Sequence, residues 1–207
     1  HDGSGLKQAE NIEQISFQND LLSWASPYEV TSKGLHDTRL LLSWFKSDVT
    51  YQKATEGSNG ADALTGQVVF AKEGNDVLYA TSQGSLLHGG EGNDIFKGNT
   101  GNDALYGAEG RDVLYSSKGS DKLYGGVGDD VFIFNVGSNN THVMDFNLAI
   151  GDQDQLGFAK SLFASMDHLA AATYQSNADV LIRGSGFMAT IHDATVQEVL
   201  NSSMILL

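Results

Sequence analysis

The residues of this chain best suited to chemistry are seven aspartates that recur at one place in a nine-residue pattern. They are Asp62, Asp76, Asp94, Asp103, Asp112, Asp121 and Asp130. Carboxylates that return at regular intervals along stacked turns repel one another, but a hard cation between them makes them ligands. The chain has no cysteine and its six histidines are scattered, so an all-oxygen ligand set favours Ca²⁺ over Zn²⁺.

The aspartates belong to a repeat that runs without a gap from Ala71 to Ile133, with one earlier unit at 57–65. The fourth position is glycine in seven of the eight units, and the eighth position is leucine or phenylalanine in all of them. Only the unit that begins at Ala80 departs, with Gln83 and Ser85 at the glycine and aspartate positions. A repeat of fixed period indicates a solenoid.

Each unit combines a glycine-rich turn of six residues with a short strand of three. The eighth residue is expected to point inward and the seventh and ninth outward, because side chains alternate along a strand. Two units then make one coil of eighteen residues, and the eighth-position side chains stack into a thin apolar core. Such a core is too narrow to offset the ordering of the loops, so a bound metal must supply the difference.

Glycine-rich units of this kind resemble the RTX (repeats in toxin) family, whose unit is GGxGxDxUx with U a large apolar residue. The resemblance implies a mainly β fold, a right-handed parallel β-roll with N-terminal and C-terminal capping regions. It also implies folding triggered by about four to seven Ca²⁺ ions and export by type I secretion machinery. Backbone carbonyls of the loops would complete the ligand shells, from Gly57, Gly60, Gly74, Gly89, Glu91, Gly92, Gly98, Thr100, Gly101, Gly107, Glu109, Gly110, Gly119, Gly125, Val127 and Gly128.

The phase of the repeat assigns the aspartates to two sides of the roll. We call the loops that end in Asp62, Asp76, Asp94, Asp112 and Asp130 the first column, and those that end in Ser85, Asp103 and Asp121 the second column. The first column offers four inter-loop sites, whereas the second offers one complete site and one weakened at Ser85, so the affinities on the two sides should differ. Asp62 and Asp76 are only fourteen residues apart, which predicts a coil whose opposite turn is shortened to Gly66–Gln67.

Three zones follow from composition: an N-terminal flank or cap at 1–56, the repeat at 57–133, and a C-terminal cap at 134–207. In the last zone, Lys160–Ala172 has the apolar spacing of a helix, and two short strands flank Gly184–Gly186 as a hairpin. The hydrophobic end, Met204–Leu207, is similar to a type I secretion signal; the alternative is a final edge strand, and one segment can be both. Asp145, Asp152 and Asp154 are candidates for a further ion, with a solvated turn as the alternative.

The formal net charge of −14 should repel nucleic acid and anionic membranes, and no apolar run is long enough to span a bilayer. The resemblance implies a secreted, extracellular or cell-surface bacterial module. We expect it to lack catalytic activity, since the H-E-x-x-H and G-x-S-x-G motifs are both absent. Outward tyrosines form a possible binding face for a cell-surface glycan or protein: Tyr79, Tyr106, Tyr115 and Tyr124. The alternatives are therefore an adhesion module and the tail of a secreted hydrolase or cytolysin whose active part lies upstream.

Overall fold

The eighth-position side chains of the repeat form one continuous apolar stack. In the computed structural model, which describes residues 54–206, Leu78, Leu87 and Phe96 are completely buried, as are their equivalents through Phe132. Strand register explains the stack, because Leu87 lies beside Leu105 and Leu105 beside Leu123 in neighbouring parallel strands. The predicted inward position and the coil of eighteen residues are confirmed.

Two sheets, whose strands run parallel throughout the repeat, face each other across this stack, so that the described chain is a mainly β, parallel β-solenoid of about five turns. In chain order the strands are β1 (Thr55–Glu56), β2 (Ala63–Gly66), β3 (Val68–Glu73), β4 (Val77–Ala80), β5 (Leu86–Glu91), β6 (Ile95–Lys97), β7 (Ala104–Glu109), β8 (Val113–Tyr115), β9 (Lys122–Val127), β10 (Val131–Phe134), β11 (Thr141–Val143), β12 (Leu148–Ala149), β13 (Asp152–Gln153), β14 (Gln155–Ala159), β15 (Thr173–Ser176), β16 (Asp179–Gly184), β17 (Phe187–Ile191) and β18 (Ser203–Leu206). The first sheet has the order β1-β3-β5-β7-β9-β11-β17-β16-β15, and the second has the order β18-β14-β10-β8-β6-β4-β2.

The coil at the start of the repeat is shortened as the sequence predicts. Strand β2 ends at Gly66 and β3 begins at Val68, so a single residue separates them. Strand β2 still pairs in parallel with β4, with Leu64 beside Leu78, and β3 pairs with β5. The missing residues therefore come from the second-column turn alone, and the first column keeps its spacing.

Both sheets continue beyond residue 133. Strand β11 pairs with β9 and places Val143 beside Leu123, while β14 pairs with β10 and places Leu156 beside Phe132. Val143 and Leu156 are completely buried, so they extend the apolar stack by one coil that lacks the repeat signature. Strand β18 then adds to β14 in parallel, as the edge-strand alternative for the chain end predicts.

The remaining C-terminal elements pack on this last coil. Strands β16 and β17 form the expected antiparallel hairpin, and the helices among the described residues are α1 (Met166–Ala171) and α2 (Val196–Asn201). The helix expected over Lys160–Ala172 is shorter, because residues 160–162 form a turn and the Ser165 side chain caps the helix by accepting the His168 amide. Of the expected N-terminal flank, residues 1–53 lie outside the described part of the chain.

Truncation inside the stack should cost far more stability than truncation at the surface. Leu105 is completely buried, whereas Val136 is 65% exposed. We expect Leu105→Ala to lower the free energy of unfolding in saturating Ca²⁺ by about 2–5 kcal/mol, and Val136→Ala to change it by less than about 0.5 kcal/mol. Urea denaturation followed by far-UV circular dichroism measures both, and equal effects would contradict the proposed core.

Candidate metal centre

From Asp76 onward, each aspartate of the first column links two neighbouring coils through its carboxylate. The Asp94 Oδ1 atom accepts the backbone N–H of Asp76 at 2.8 Å, and Asp112 Oδ1 accepts that of Asp94 at 2.7 Å. The same bond joins Asp62 to Asp76 at 2.7 Å across the shortened coil, and Asp112 to Asp130 at 2.8 Å. The position of the aspartate in the unit therefore fixes how one turn stacks on the next.

The second oxygen of these carboxylates is buried without a hydrogen-bond donor. This is true of Oδ2 in Asp76, Asp94, Asp112 and Asp130, and all four residues are no more than 1% exposed. An ionised oxygen that is removed from water and left without a partner is strongly unfavourable. Four such atoms in one column are suited to be cation ligands, because a bound cation would neutralise each of them.

Glycine at the first position of the unit leaves room beside these oxygens. A Cβ added to Gly107 would overlap both the Asp112 Oδ2 atom and the carbonyl oxygen of Gly125. A Cβ added to Gly89 would overlap Asp94 Oδ2 in the same way. Carboxylate and carbonyl oxygens thus approach one region that only glycine leaves open, and hard oxygens of both kinds are the ligands that Ca²⁺ takes.

The fourth-position glycines serve the turn itself. Gly110 has φ +134°, and an added Cβ would overlap the carbonyl oxygen of Gly92 in the preceding coil. Any other residue would be strained at this φ and would push the coils apart.

The pKa values of the buried first-column aspartates are raised, as expected for carboxylates without a counter-charge. Burial raises the pKa of Asp112 to about 7, the Asp94 amide opposes this rise, and repulsion from the Asp94 carboxylate adds to it. Burial likewise raises the pKa of Asp94 to about 6 and that of Asp130 to about 7. Asp62, the first member of the column, behaves in the opposite way, because hydrogen bonds from Ser58 lower its pKa.

The second column satisfies its carboxylates differently. Asp103 Oδ1 accepts the Ser85 amide at 2.8 Å, so the link between coils is retained. The Asp121 Oδ2 atom accepts the Ser117 amide at 2.9 Å, and the Ser117 hydroxyl lies within 3.4 Å of Asp103 Oδ2. In the unit that begins at Ala80, the Ser85 hydroxyl replaces the carboxylate oxygen and accepts the Thr81 amide at 2.8 Å. The two columns thus differ in how many carboxylate oxygens lack a hydrogen-bond donor: four in the first column, and none in Asp103 or Asp121 of the second.

Backbone carbonyls expected as ligands are partly engaged within the roll. Glu91, Glu109 and Val127 accept the amides of Gly74, Gly92 and Gly110 at 2.7–2.9 Å. A carbonyl oxygen has two lone pairs, so each keeps one for a cation. Within residues 54–206 no three His, Cys, Asp or Glu side chains converge on one point, and the column carboxylates lie one to a coil.

The tyrosines of the expected binding face differ in exposure. Tyr106 and Tyr124 lie side by side as predicted, with ring centroids 4.4 Å apart, but Tyr106 is only 6% exposed and is not available to a ligand. On the second sheet, Tyr79 is 44% exposed and Lys97 separates it from Tyr115, with the Lys97 Nζ atom 3.2 Å from the centre of the Tyr115 ring. Tyr106 is buried, Tyr124 is half-buried and Lys97 lies between the other two tyrosines, so these four residues form no continuous aromatic surface.

Two histidines that look scattered in the sequence meet in the fold. The His142 Nδ1 atom lies 3.0 Å from His192 Nε2, and His192 Nδ1 lies 3.3 Å from Asp179 Oδ1. Burial, His192 and Lys122 lower the pKa of His142, in that order. The contact comes from the parallel pairing of β11 with β17, for which the sequence carries no local signal.

Comparison with known proteins gives a family for the repeat. Residues 70–105, 83–114 and 106–140 match the model of the RTX calcium-binding nonapeptide repeat (4 copies). No match was found among curated proteins. Of the described helices, none is long and apolar enough to cross a membrane.

Two solved structures are similar to this chain at low sequence identity. The crystal structure of the extracellular lipase LipA from Serratia marcescens is 15% identical, with a TM-score of 0.37, over 78% of this chain and 41% of the lipase chain. The chain therefore spans less than half the length of that enzyme. The solution structure of the AlgE6R3 subunit from the Azotobacter vinelandii mannuronan C5-epimerase is 20% identical, with a TM-score of 0.42, over 72% of this chain and 80% of that chain.

Filling the glycine space should weaken calcium binding. Gly107→Ala places a methyl group against Asp112 Oδ2 and the Gly125 carbonyl oxygen, and such overpacking costs about 1–3 kcal/mol. We expect the Ca²⁺ concentration at the folding midpoint to rise about tenfold. Gly184→Ala is the matched control, because its Cβ makes only ordinary contacts, with the Phe163 ring at 3.4 Å and Phe187 Cβ at 3.7 Å. Equal midpoints for the two variants would contradict the assignment of Gly107 to the metal centre.

Acid should favour the folded state when calcium is absent. The folded pKa of Asp94 is about 6 and that of Asp112 about 7, against an ordinary value of 3.8, so the folded chain holds more protons between those limits. This contribution to stability is complete below pH ~4 and is lost as the pH rises through the folded values. In calcium-free buffer the β signal in far-UV circular dichroism should therefore be larger at pH 5 than at pH 8. A signal that grows from pH 5 to pH 8 would contradict the buried, unneutralised column.

Proposed function

Because residues 70–140 carry RTX calcium-binding nonapeptide repeats, we propose that this chain is a module that folds on binding Ca²⁺ after type I secretion. The observation that carries the proposal is the first column, in which four buried aspartates each have one oxygen without a donor. In the cytosol, where Ca²⁺ is scarce, the column repels itself and the chain stays extended for export. Outside the cell, Ca²⁺ neutralises the column and the coils stack.

The residues have separate tasks in this process. Asp76, Asp94, Asp112 and Asp130 each use Oδ1 to bind the amide of the preceding coil and keep Oδ2 for the cation. First-position glycines keep the space open, and loop carbonyls complete the oxygen shell. Bound Ca²⁺ supplies charge neutralisation and rigid links between loops. In the second column, Asp103 and Asp121 hold a weaker site, because the Oδ2 atom of each already accepts a hydrogen bond from Ser117.

The biological role that fits these tasks is structural. The module stabilises or caps a larger secreted protein, a toxin, an enzyme or an adhesin, and itself catalyses no reaction. Its partners are the secretion machinery during export and the rest of the parent protein afterwards. The strong negative charge, −14 over the chain, disfavours nucleic acid as a partner.

A calcium titration followed by far-UV circular dichroism tests the proposal. We expect a cooperative transition from coil to β structure with Ca²⁺ and none with Mg²⁺, whose small octahedral shell the loops do not suit. Asp112→Asn removes one charge from the middle of the column and should shift the midpoint to higher Ca²⁺. Asp167→Asn, an exposed change of the same charge in the first turn of α1, is the control. Full β signal of the wild type in chelator at pH 8 would overturn calcium-triggered folding.

A further inference from the structure

The segment that follows the last repeat folds back onto the end of the first column. Asp154 accepts the Asp130 amide at 3.0 Å through Oδ1, which is the bond that links successive aspartates within the column. Asp154 is 2% exposed, and burial raises its pKa to about 7. The column therefore has a further member, which lies twenty-four residues after Asp130 instead of eighteen and outside the matched repeats.

Asp145 binds the other end of the loop that runs from Gly125 to Asp130. Its two oxygens accept the amides of Gly125 at 3.0 Å and Gly126 at 3.1 Å, which are the first two residues of the unit that contains Asp130. Burial raises the pKa of Asp145 to about 6, against which those two amides act, and the Asp152 charge adds to the rise. Asp145 and Asp154 thus fasten the 145–154 segment to the last repeat through backbone amides.

Two oxygens at this junction have no donor. Asp130 Oδ2 is buried in a residue that is 0% exposed, and it faces Gly125, where an added Cβ would overlap it. Asp152 Oδ1 is also buried without a partner. The Asn147 side chain holds the other Asp152 oxygen at 2.8 Å, and its backbone amide holds Asp154 Oδ2 at 2.8 Å, so Asn147 fixes how both carboxylates are presented.

A purely hydrogen-bonded cap does not account for this arrangement. Such a cap needs only Asp145 and Asp154, whose four oxygens all accept backbone amides. It leaves Asp130 Oδ2 and Asp152 Oδ1 unexplained, and it brings Asp152 close enough to raise the pKa of Asp130, Asp145 and Asp154 by repulsion. Like charges gathered beside buried, unpartnered oxygens require a counter-charge.

We propose that a terminal Ca²⁺ site lies at this junction, with Asp130 Oδ2 and Asp152 Oδ1 as its side-chain ligands and loop carbonyls as the remainder. The proposal rests on calcium binding by the first column, because Asp130 belongs to both. It gives the site a task of its own. The terminal ion joins the last repeat to β13, which directly precedes β14, so that the C-terminal coil is fastened only when Ca²⁺ is present.

The number of bound ions tests the site. Asp152→Asn keeps an acceptor for the Asn147 side chain and removes the charge. Native mass spectrometry of the calcium-loaded chain should find one ion fewer in this variant than in the wild type. Asp129→Asn is the matched control. Asp129 is exposed, lies next to Asp130 and accepts the Gln153 amide, but it is not one of the proposed ligands. Its ion count should equal that of the wild type.

Hydrogen exchange provides a second readout that does not depend on counting. In Asp152→Asn, amides of residues 144–154 should exchange at least about tenfold faster at saturating Ca²⁺, while amides of β5 and β7 stay protected. If Asp152→Asn does not reach the wild-type β signal in Ca²⁺, both measurements are made on Asp152→Ser.

The outcomes separate this site from the proposed function. A wild type that binds ions, with equal counts in the Asp152 and Asp129 variants, overturns the terminal site and leaves the columns intact. A wild type that binds no Ca²⁺ overturns the proposed function and the terminal site together. One ion lost from the Asp152 variant alone establishes the site.

Discussion

The structure depends on one bond, in which an aspartate carboxylate accepts the backbone amide of the equivalent aspartate in the preceding coil. A hydrogen bond to an ionised acceptor contributes about 1.5–3 kcal/mol, more than a neutral one. The same side chain carries a charge into the interior, and an unpaired buried charge costs several kcal/mol. Stacking therefore brings its own penalty, and the penalty grows with every coil because each aspartate has another beside it.

The rest of the fold offers little to offset that penalty. Each half-coil contributes one large apolar side chain to the stack, such as Leu105 or Leu114, and the loops are largely glycine and polar residues. Glycine is expensive to order, yet it is required where a carbonyl or carboxylate oxygen of the next coil comes close, as at Gly107 and Gly110. A thin core with costly loops is stable only when the buried charge is neutralised, which makes metal binding and folding one process.

Most of the repeat could be predicted from the sequence, because its signals are local and repeated. The period, the inward position, the two columns and the shortened coil all follow from residue types at fixed spacing. The continuation of the column into Asp154 was missed because the interval there is twenty-four residues, although Asp154, Gln155 and Leu156 keep the spacing of aspartate and apolar residue seen in each unit. Thr141 takes the aspartate place in the second column in the same way, ahead of Val143.

Other features had no local signal to find. The contact between His142 and His192 joins strands fifty residues apart, and the burial of Tyr106 depends on packing that alternation along a strand does not reveal. The helix α1 was predicted too long, since apolar spacing continues through residues 160–165 while the Ser165 side chain starts the helix later.

The shortened coil also indicates where a chain of this kind tolerates insertions and deletions. Between β2 and β3 the second-column turn has shrunk to a single residue, yet Asp62 still bonds to Asp76 and Leu64 still lies beside Leu78. Register is thus held along one edge of the roll, and the opposite edge absorbs the deletion. Insertions and deletions should accumulate at second-column turns over evolutionary time, and engineered sequences can be grafted there without disturbing the other edge.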